Sequence, residues 1–278
     1  MEFSHIHHVS TGFLEEFYQN YSPVFVLNTG RSGSAMLQNV FSGDHLFKAY
    51  HEAAPNLFLK SNYAYHNQDK SEILTHIFGA ARTELILEAC VANKIYVETN
   101  QCLVFYARQI KALFPKARFV HLTRHPGDFV RSAIRKGWHK NDSVWELGRI
   151  KMQDPIAWQG LDQIQKLSWV WQATHSFIED INTEYTKDVM TVRLEDLIGQ
   201  HKAVNEMLAF MGGTKRFTKS EHQTLFKSKH NQLYIAPNEP SNMFKLEEYP
   251  TYAQWDHNAK EKLAQWAAQL SDRYNYSL

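Results

Sequence analysis

The sequence predicts an α/β fold, a parallel sheet flanked by helices, in a single domain spanning residues 1–278. Three observations carry that reading. Short apolar runs at 24–27, 95–97, 118–122 and 189–192 are rich in β-branched or aromatic residues and lack the alternation of a half-exposed strand. Longer segments with helical spacing lie between them. The composition, 44% hydrophobic and 21% charged, is that of an ordinary folded domain rather than a disordered or fibrous chain.

In chain order, the strand at 24–27 leads through a glycine-bearing turn into a helix at 34–41. A fifth, less marked strand is read at 47–50. A helix is expected over 71–92, then the strand at 95–97, a helix over 102–113 and the strand at 118–122. Pro126 suits the first turn of the next helix, 126–136. Residues 138–163 are irregular and rich in tryptophan, and 161–183 reads as a long helix. Glycine and proline gather in 212–252, which is expected to be loop-rich. An amphipathic helix at 258–274 follows. There is no internal repeat, no low-complexity tract and no linker that demands a second domain.

Strands alternating with helices imply right-handed βαβ units with the ligand beyond the carboxyl ends of the strands. The chemistry is therefore sought at 28–34, 51–52, 98–100, 123–124 and 193–196. Thirty basic residues against twenty-nine acidic leave a net charge of +1, which disfavours a nucleic-acid polymer as partner. A few placed cations still suffice for a small anion. Cys90 and Cys102 have neither metal-ligand nor redox spacing, so a reducing, cytoplasmic setting is expected. No stretch approaches 18 apolar residues, and the first residues lack a basic, then apolar, leader pattern, so neither a membrane span nor a signal peptide is expected. His5, His7 and His8 are assigned to a solvated terminal segment rather than to a metal site.

Asn28-Thr29-Gly30-Arg31-Ser32-Gly33-Ser34 joins the first strand to the first sheet-linked helix. Gly30 and Gly33 permit positive φ and close backbone approach. Backbone N–H groups in such a turn, with a helix amino terminus behind them, form an anion nest. Ser32 and Ser34 add hydroxyls, and Arg31 adds a charge. The ATP-binding pattern Gly-x4-Gly-Lys-Ser/Thr is absent, so an ATP- or GTP-hydrolysing machine is disfavoured. After the strand at 118–122 come Thr123 and Arg124, with Ser132 and Lys136 further along the next helix. These make a second phosphate clamp, against the plainer reading of a solvated basic helix face.

Together, Thr29-Gly30-Arg31-Ser32-Gly33-Ser34 and Leu122-Thr123-Arg124-His125-Pro126-Gly127-Asp128, with Ser132 eight residues beyond Arg124, resemble the sulfotransferases that use 3′-phosphoadenosine 5′-phosphosulfate (PAPS). Val192-Arg193-Leu194-Glu195-Asp196-Leu197 extends the likeness, with Leu194 where the family often has Tyr. The resemblance implies a P-loop NTPase-like sulfotransferase fold, PAPS as donor, 3′,5′-ADP as product and no metal. It implies that residues 29–34 grip the 5′-phosphosulfate, and that Arg124 and Ser132, with Lys136 nearby, hold the 3′-phosphate. The late basic, glycine-rich loop of cytosolic members is not recognisable; residues 227–238 are the expected replacement.

Arg31 and the loop N–H groups are placed to stabilise charge building on the leaving phosphate. The base is sought at the end of another strand. His51 and Glu52 are the candidates, with Glu52 where some family members carry a catalytic Glu, its carboxyl raised by partial burial. His51 is either the base itself or the group that orients Glu52. Glu98, with Thr99 and Asn100, is a reserve base or a loop-ordering cluster. Trp138 is the tryptophan expected nearest an acceptor. The acceptor itself is open: a small molecule, sugar, lipid or peptide, taken at a hydroxyl or amine. Alternatives are a P-loop-like kinase using ATP and a non-catalytic nucleotide-binding protein of the same fold.

Overall fold

All five predicted strands pair into one parallel sheet in the order β2-β3-β1-β4-β5, where β1 is Val24–Leu27, β2 Phe47–His51, β3 Ile95–Thr99, β4 Arg118–Thr123 and β5 Val189–Arg193. The computed structural model describes residues 11–140, 144–227 and 248–278. His5, His7, His8 and residues 228–238 lie outside them.

The missing alternation in the apolar runs has a simple cause: both sheet faces are covered. Successive side chains of a strand serve opposite faces. Phe25 and Leu27 of β1 join Tyr96 and Phe119 in one core, while Val24 and Val26 join Val97, Val120 and Leu122 in the other. The helices are α1 (Thr11–Asn20), α2 (Ser34–Ser42), α3 (Phe58–His66), α4 (Ser71–Val91), α5 (Ala107–Leu113), α6 (Pro126–Ile134), α7 (Pro155–Gly160), α8 (Gln163–Glu184), α9 (Leu194–Gly199), α10 (His201–Met211), α11 (Lys219–Lys227) and α12 (His257–Arg273). Helices α4, α8 and α12 complete the first core with Phe78, Trp171 and Leu263; α2 and α10 complete the second with Leu37, Phe41 and Met207.

Several boundaries differ from the sequence reading. Strands β2, β3, β4 and β5 outrun their apolar residues, because the ladder still pairs His51 with Thr99 and Thr123 with Arg193. His51, Glu98 and Thr99 are therefore strand residues rather than loop residues. The helix expected over 102–113 begins as a 3-10 turn, Gln101–Tyr106. The Asn100 side chain causes this entry: it accepts from the Cys102 N–H at 2.9 Å while donating to Glu98 Oε1 at 2.9 Å. Within the stretch expected to be loop, α11 forms behind a reciprocal cap, with Thr218 N–H donating to Glu221 and Glu221 N–H donating to the Thr218 hydroxyl. No helix among the described residues is long and apolar enough to cross a membrane.

Candidate active site

The loop after β1 is held by its own side chains. Asn28 Oδ1 accepts from the Gly30 N–H at 2.8 Å, and Asn28 Nδ2 donates to the Val26 carbonyl at 3.0 Å. Ser32 is fully buried; its hydroxyl lies 2.8 Å from Thr29 Oγ1 and donates to the Gly30 carbonyl. Ser32 thus staples the loop. Gly30, Arg31 and Gly33 all take positive φ, at 74°, 50° and 82°. A left-handed arginine is strained, and strain of this kind persists where the surroundings enforce it. Gly33 caps α2 with no side-chain bond, and Ser34 opens the helix, so its first turn faces the loop.

The second clamp meets the first loop. Arg124 Nη1 donates to the Arg31 carbonyl at 2.6 Å, and Arg31 Nε donates to the Ser132 hydroxyl at 3.1 Å. Arg31, Arg124 and Ser132 therefore form one cluster, with Arg31 between the other two. Lys136 lies one turn beyond Ser132, past the end of α6. Burial pulls the Arg124 pKa below the usual guanidinium value, with Asp128 and Glu195 opposing. No carboxylate of a described residue lies within 4.0 Å of it. A half-buried cation without a paired carboxylate is stabilised when an anion joins it.

The backbone that presents Arg124 is fixed from three sides. Trp171 Nε1 donates to the Arg124 carbonyl at 3.1 Å. Glu195 accepts from the His125 N–H and from the Tyr276 hydroxyl, both at 2.9 Å. The Tyr276 hydroxyl lies 3.0 Å from Thr123 Oγ1.

His51 and Glu52 close the far side of this end of the sheet. His51 Nδ1 is 2.7 Å from Thr99 Oγ1, and the Glu52 N–H donates to the Thr99 carbonyl. Glu52 is held at φ 49°. Its side chain, expected to be partly buried, is exposed, because the left-handed turn lifts it off the strand edge. Glu98 has the opposite fate. It is fully buried and accepts from Arg82 Nε and Nη2, the Tyr96 hydroxyl and Asn100 Nδ2. A carboxylate so fully bonded orders the loop after β3 and is not available as a base.

Between the loop and α8 lies a small cavity, about 40 Å³ to water centres, lined by Thr29, Ser61, Gln101, Trp138, Arg149 and Thr174 among others. Trp138 is 8% exposed and carries the Arg149 guanidinium on its face, 3.6 Å from the ring centroid. A Cβ on Gly30 would come within 3.0 Å of the Trp138 ring, so this ring abuts the loop after β1. Trp158, Trp169 and Trp171 are core residues.

A sulfotransferase-family model matches residues 23–214, most of the chain. The chain belongs to the sulfotransferase family. It is accordingly an enzyme that transfers sulfuryl groups, and members of the family generally draw them from PAPS. The sulfotransferase domain of the curacin biosynthetic pathway is similar in fold, at 13% identity over 94% of this chain and 99% of that one, with a TM-score of 0.52. The corresponding domain of the Synechococcus PCC 7002 olefin synthase matches at 14% identity over 93% and 97%, with a TM-score of 0.51. No curated protein sequence matches the chain significantly.

Two residues that line this sulfotransferase's cavity escaped the sequence reading. Gln101 lies two positions after β3, just beyond residues 98–100, and its amide lies over Gly30. Arg149 sits in the irregular stretch and carries no sequence signal. Gly33 has a second constraint that was invisible: a Cβ there would meet Leu194 at 2.6 Å. Gly33→Ala is expected to cost about 1–2 kcal/mol from the left-handed backbone alone, and more from the Leu194 contact. Thermal unfolding and 3′,5′-ADP titration of the variant check this; an unchanged melting temperature means the loop relaxes freely.

Proposed function

We propose that this sulfotransferase takes its sulfuryl group from PAPS and passes it to an acceptor hydroxyl or amine. The observation that carries the reading is the junction of Arg31, Arg124 and Ser132, a two-anion site with one cation bonded to the loop carbonyl and the other to the serine. The donor requires such a site, because its 5′-phosphosulfate and 3′-phosphate are both anionic. Residues 29–34 bind the 5′ side; Arg124 and Ser132, with Lys136 beyond them, bind the 3′-phosphate.

The acceptor oxygen–sulfur bond forms as the sulfur–oxygen bond to the 5′-phosphate breaks. The acceptor proton passes to a base, and the electron pair leaves on 3′,5′-ADP. Arg31 stabilises the departing charge. Glu52 is the base that fits: among the described residues its carboxylate makes no hydrogen bond and faces outward at the strand end. His51, bonded to Thr99, positions the turn that carries Glu52.

Calorimetric titration tests the donor assignment. 3′,5′-ADP is expected to bind at micromolar strength without magnesium, and ATP about tenfold more weakly or worse, a gap of about 1.4 kcal/mol. Preference for Mg-ATP instead supports the kinase alternative and sinks this one. Glu52→Gln is expected to keep 3′,5′-ADP affinity while lowering turnover by about 10²–10⁴-fold. Full activity in that variant transfers the role to His51.

A further inference from the structure

The cavity beside the phosphate loop contains polar groups that the transfer chemistry does not use. Arg149 Nε donates to Glu146 Oε1 at 2.8 Å, and no other hydrogen bond joins its guanidinium to a described residue. The guanidinium lies 3.6 Å from the Trp138 ring centroid and 5.3 Å from that of Phe58, and both rings line the cavity. With a face on Trp138 and Nε committed to Glu146, Nη1 and Nη2 have no hydrogen-bond partner among the described residues, and Arg149 lines the cavity. The hydroxyls of Ser61 and Thr174 line the same space, and neither has a hydrogen-bond partner among the described residues. The remaining walls include Phe105, Ile150 and Val170.

We infer that this cavity receives a carboxylate of the acceptor, so that the acceptor is a hydroxy acid or an amino acid derivative with its acid group gripped by Arg149. The inference rests on the sulfotransferase reading for the hydroxyl or amine half of that molecule. Guanidinium offers only donors, and its Nη1–Nη2 edge matches the two oxygens of a planar acid. Ser61 and Thr174 add two more donors. A carboxylate, with about four lone-pair sites, answers all of them; a single carbonyl cannot. The size agrees as well. About 40 Å³ to water centres holds roughly three waters, and a carboxylate has three heavy atoms.

Two carboxylates act on Arg149, Glu146 in contact and Glu52 through space. Glu146 is shared: its Oε2 accepts from the His139 backbone N–H at 3.0 Å and lies 3.2 Å from His139 Nδ1. Burial works against its charge, yet the His139 hydrogen bond and Arg149 hold its carboxyl at about 2. Glu146 thus remains an anion that fixes Arg149 by one edge and leaves the other for ligand. The far end of the acceptor then runs toward Thr29 and the loop, which border the same cavity.

The test uses the full chain and a graded series of ω-hydroxyalkanoates, from 3-hydroxypropionate to 6-hydroxyhexanoate, with 4-hydroxyphenylacetate, each beside its methyl ester. Binding is measured by ligand-observed NMR with and without 3′,5′-ADP. At least one acid is expected to bind about tenfold or more tightly than its ester. Arg149→Lys, which keeps the charge and loses the fork, is expected to remove most of that preference. Arg149→Met with Glu146→Gln removes both charges together, so no buried carboxylate is stranded, and is expected to abolish it. Acids and esters binding equally, no acid binding at all, or a preference that survives both variants overturns the inference. Failure of the wild-type chain to bind 3′,5′-ADP strikes the donor assignment instead, and the acid–ester comparison without nucleotide still decides this one.

Discussion

Arg124→Ala is expected to weaken 3′,5′-ADP binding by about 2–5 kcal/mol, roughly thirty-fold to a few thousand-fold. The size follows from where the charge sits. Arg124 is half-buried, its pKa is pulled down by that burial, and no described carboxylate pairs with it. Part of its desolvation is therefore already spent when a nucleotide arrives, and a phosphate bound there would meet a partly dry cation. Arg31 is expected to suffer indirectly, because Arg124 Nη1 holds the Arg31 carbonyl at 2.6 Å and so helps keep a left-handed arginine in place. Arg124→Lys separates the two effects: it restores charge but not the fork, and it is expected to recover only part of the affinity. Adenosine 5′-phosphosulfate, which lacks the 3′-phosphate, provides the second arm. If alanine at 124 weakens both ligands equally, Arg124 supports the loop and does not hold the 3′-phosphate.

How far the site was legible depended on whether its parts were local in sequence. The strand runs at 24–27 and 118–122 were readable because a parallel strand buried on both faces must be continuously apolar. Arg124 and Ser132 were readable because a strand end and the next helix fix their separation, and the structure joins them through Arg31. Arg149 was not readable. Its role comes from Trp138, Phe58 and Glu146 closing around it, and nothing in the residues on either side of Arg149 encodes that meeting. Tyr276 is similar: it braces Thr123 and Glu195 from the far end of the chain. Helix α11, by contrast, carried a readable signal, since Thr218 and Glu221 stand at the spacing of a capping box, and the glycines and prolines around it obscured it. Glu52 shows the reverse error. It was expected to be partly buried and is exposed, at a positive φ after the strand end that the neighbouring residues do not encode.

Acidification from pH 7 to pH 5 is expected to lower stability, by about 2 kcal/mol from buried His121 alone, with His175 and His139 acting in the same direction. His121 on β4 and His175 on α8 are fully buried, with His121 Nε2 2.8 Å from His175 Nδ1. Burial drives the His121 pKa down to about 3, and burial together with His121 drives His175 well below its ordinary value. The unfolded chain takes up protons through pH 6.5 while the folded chain does not. Stability is thus whole above about pH 6.5 and falls steadily as pH drops toward the folded values. The neighbours do not reverse this. His121 Nδ1 is 3.3 Å from the Thr191 hydroxyl and 3.6 Å from Glu179, but Glu179 is already engaged by the Tyr274 hydroxyl at 2.7 Å and by Arg273 at 3.0 Å. His175 Nε2 is buried with no hydrogen-bond partner among the described residues, so a proton added there is unsolvated. The Glu146 carboxylate, held at about 2, loses its contribution only below about pH 4.5, which keeps the two windows apart. Denaturant unfolding at pH 7, 6 and 5 reads the effect directly, and a flat profile over that range would mean the pair exchanges protons with solvent as an exposed pair does. The consequence reaches the active site through one side chain: Trp171 packs its ring 4.6 Å from that of His175 and donates to the Arg124 carbonyl. Acid that opens the histidine pair is therefore expected to loosen the support of the Arg124 backbone.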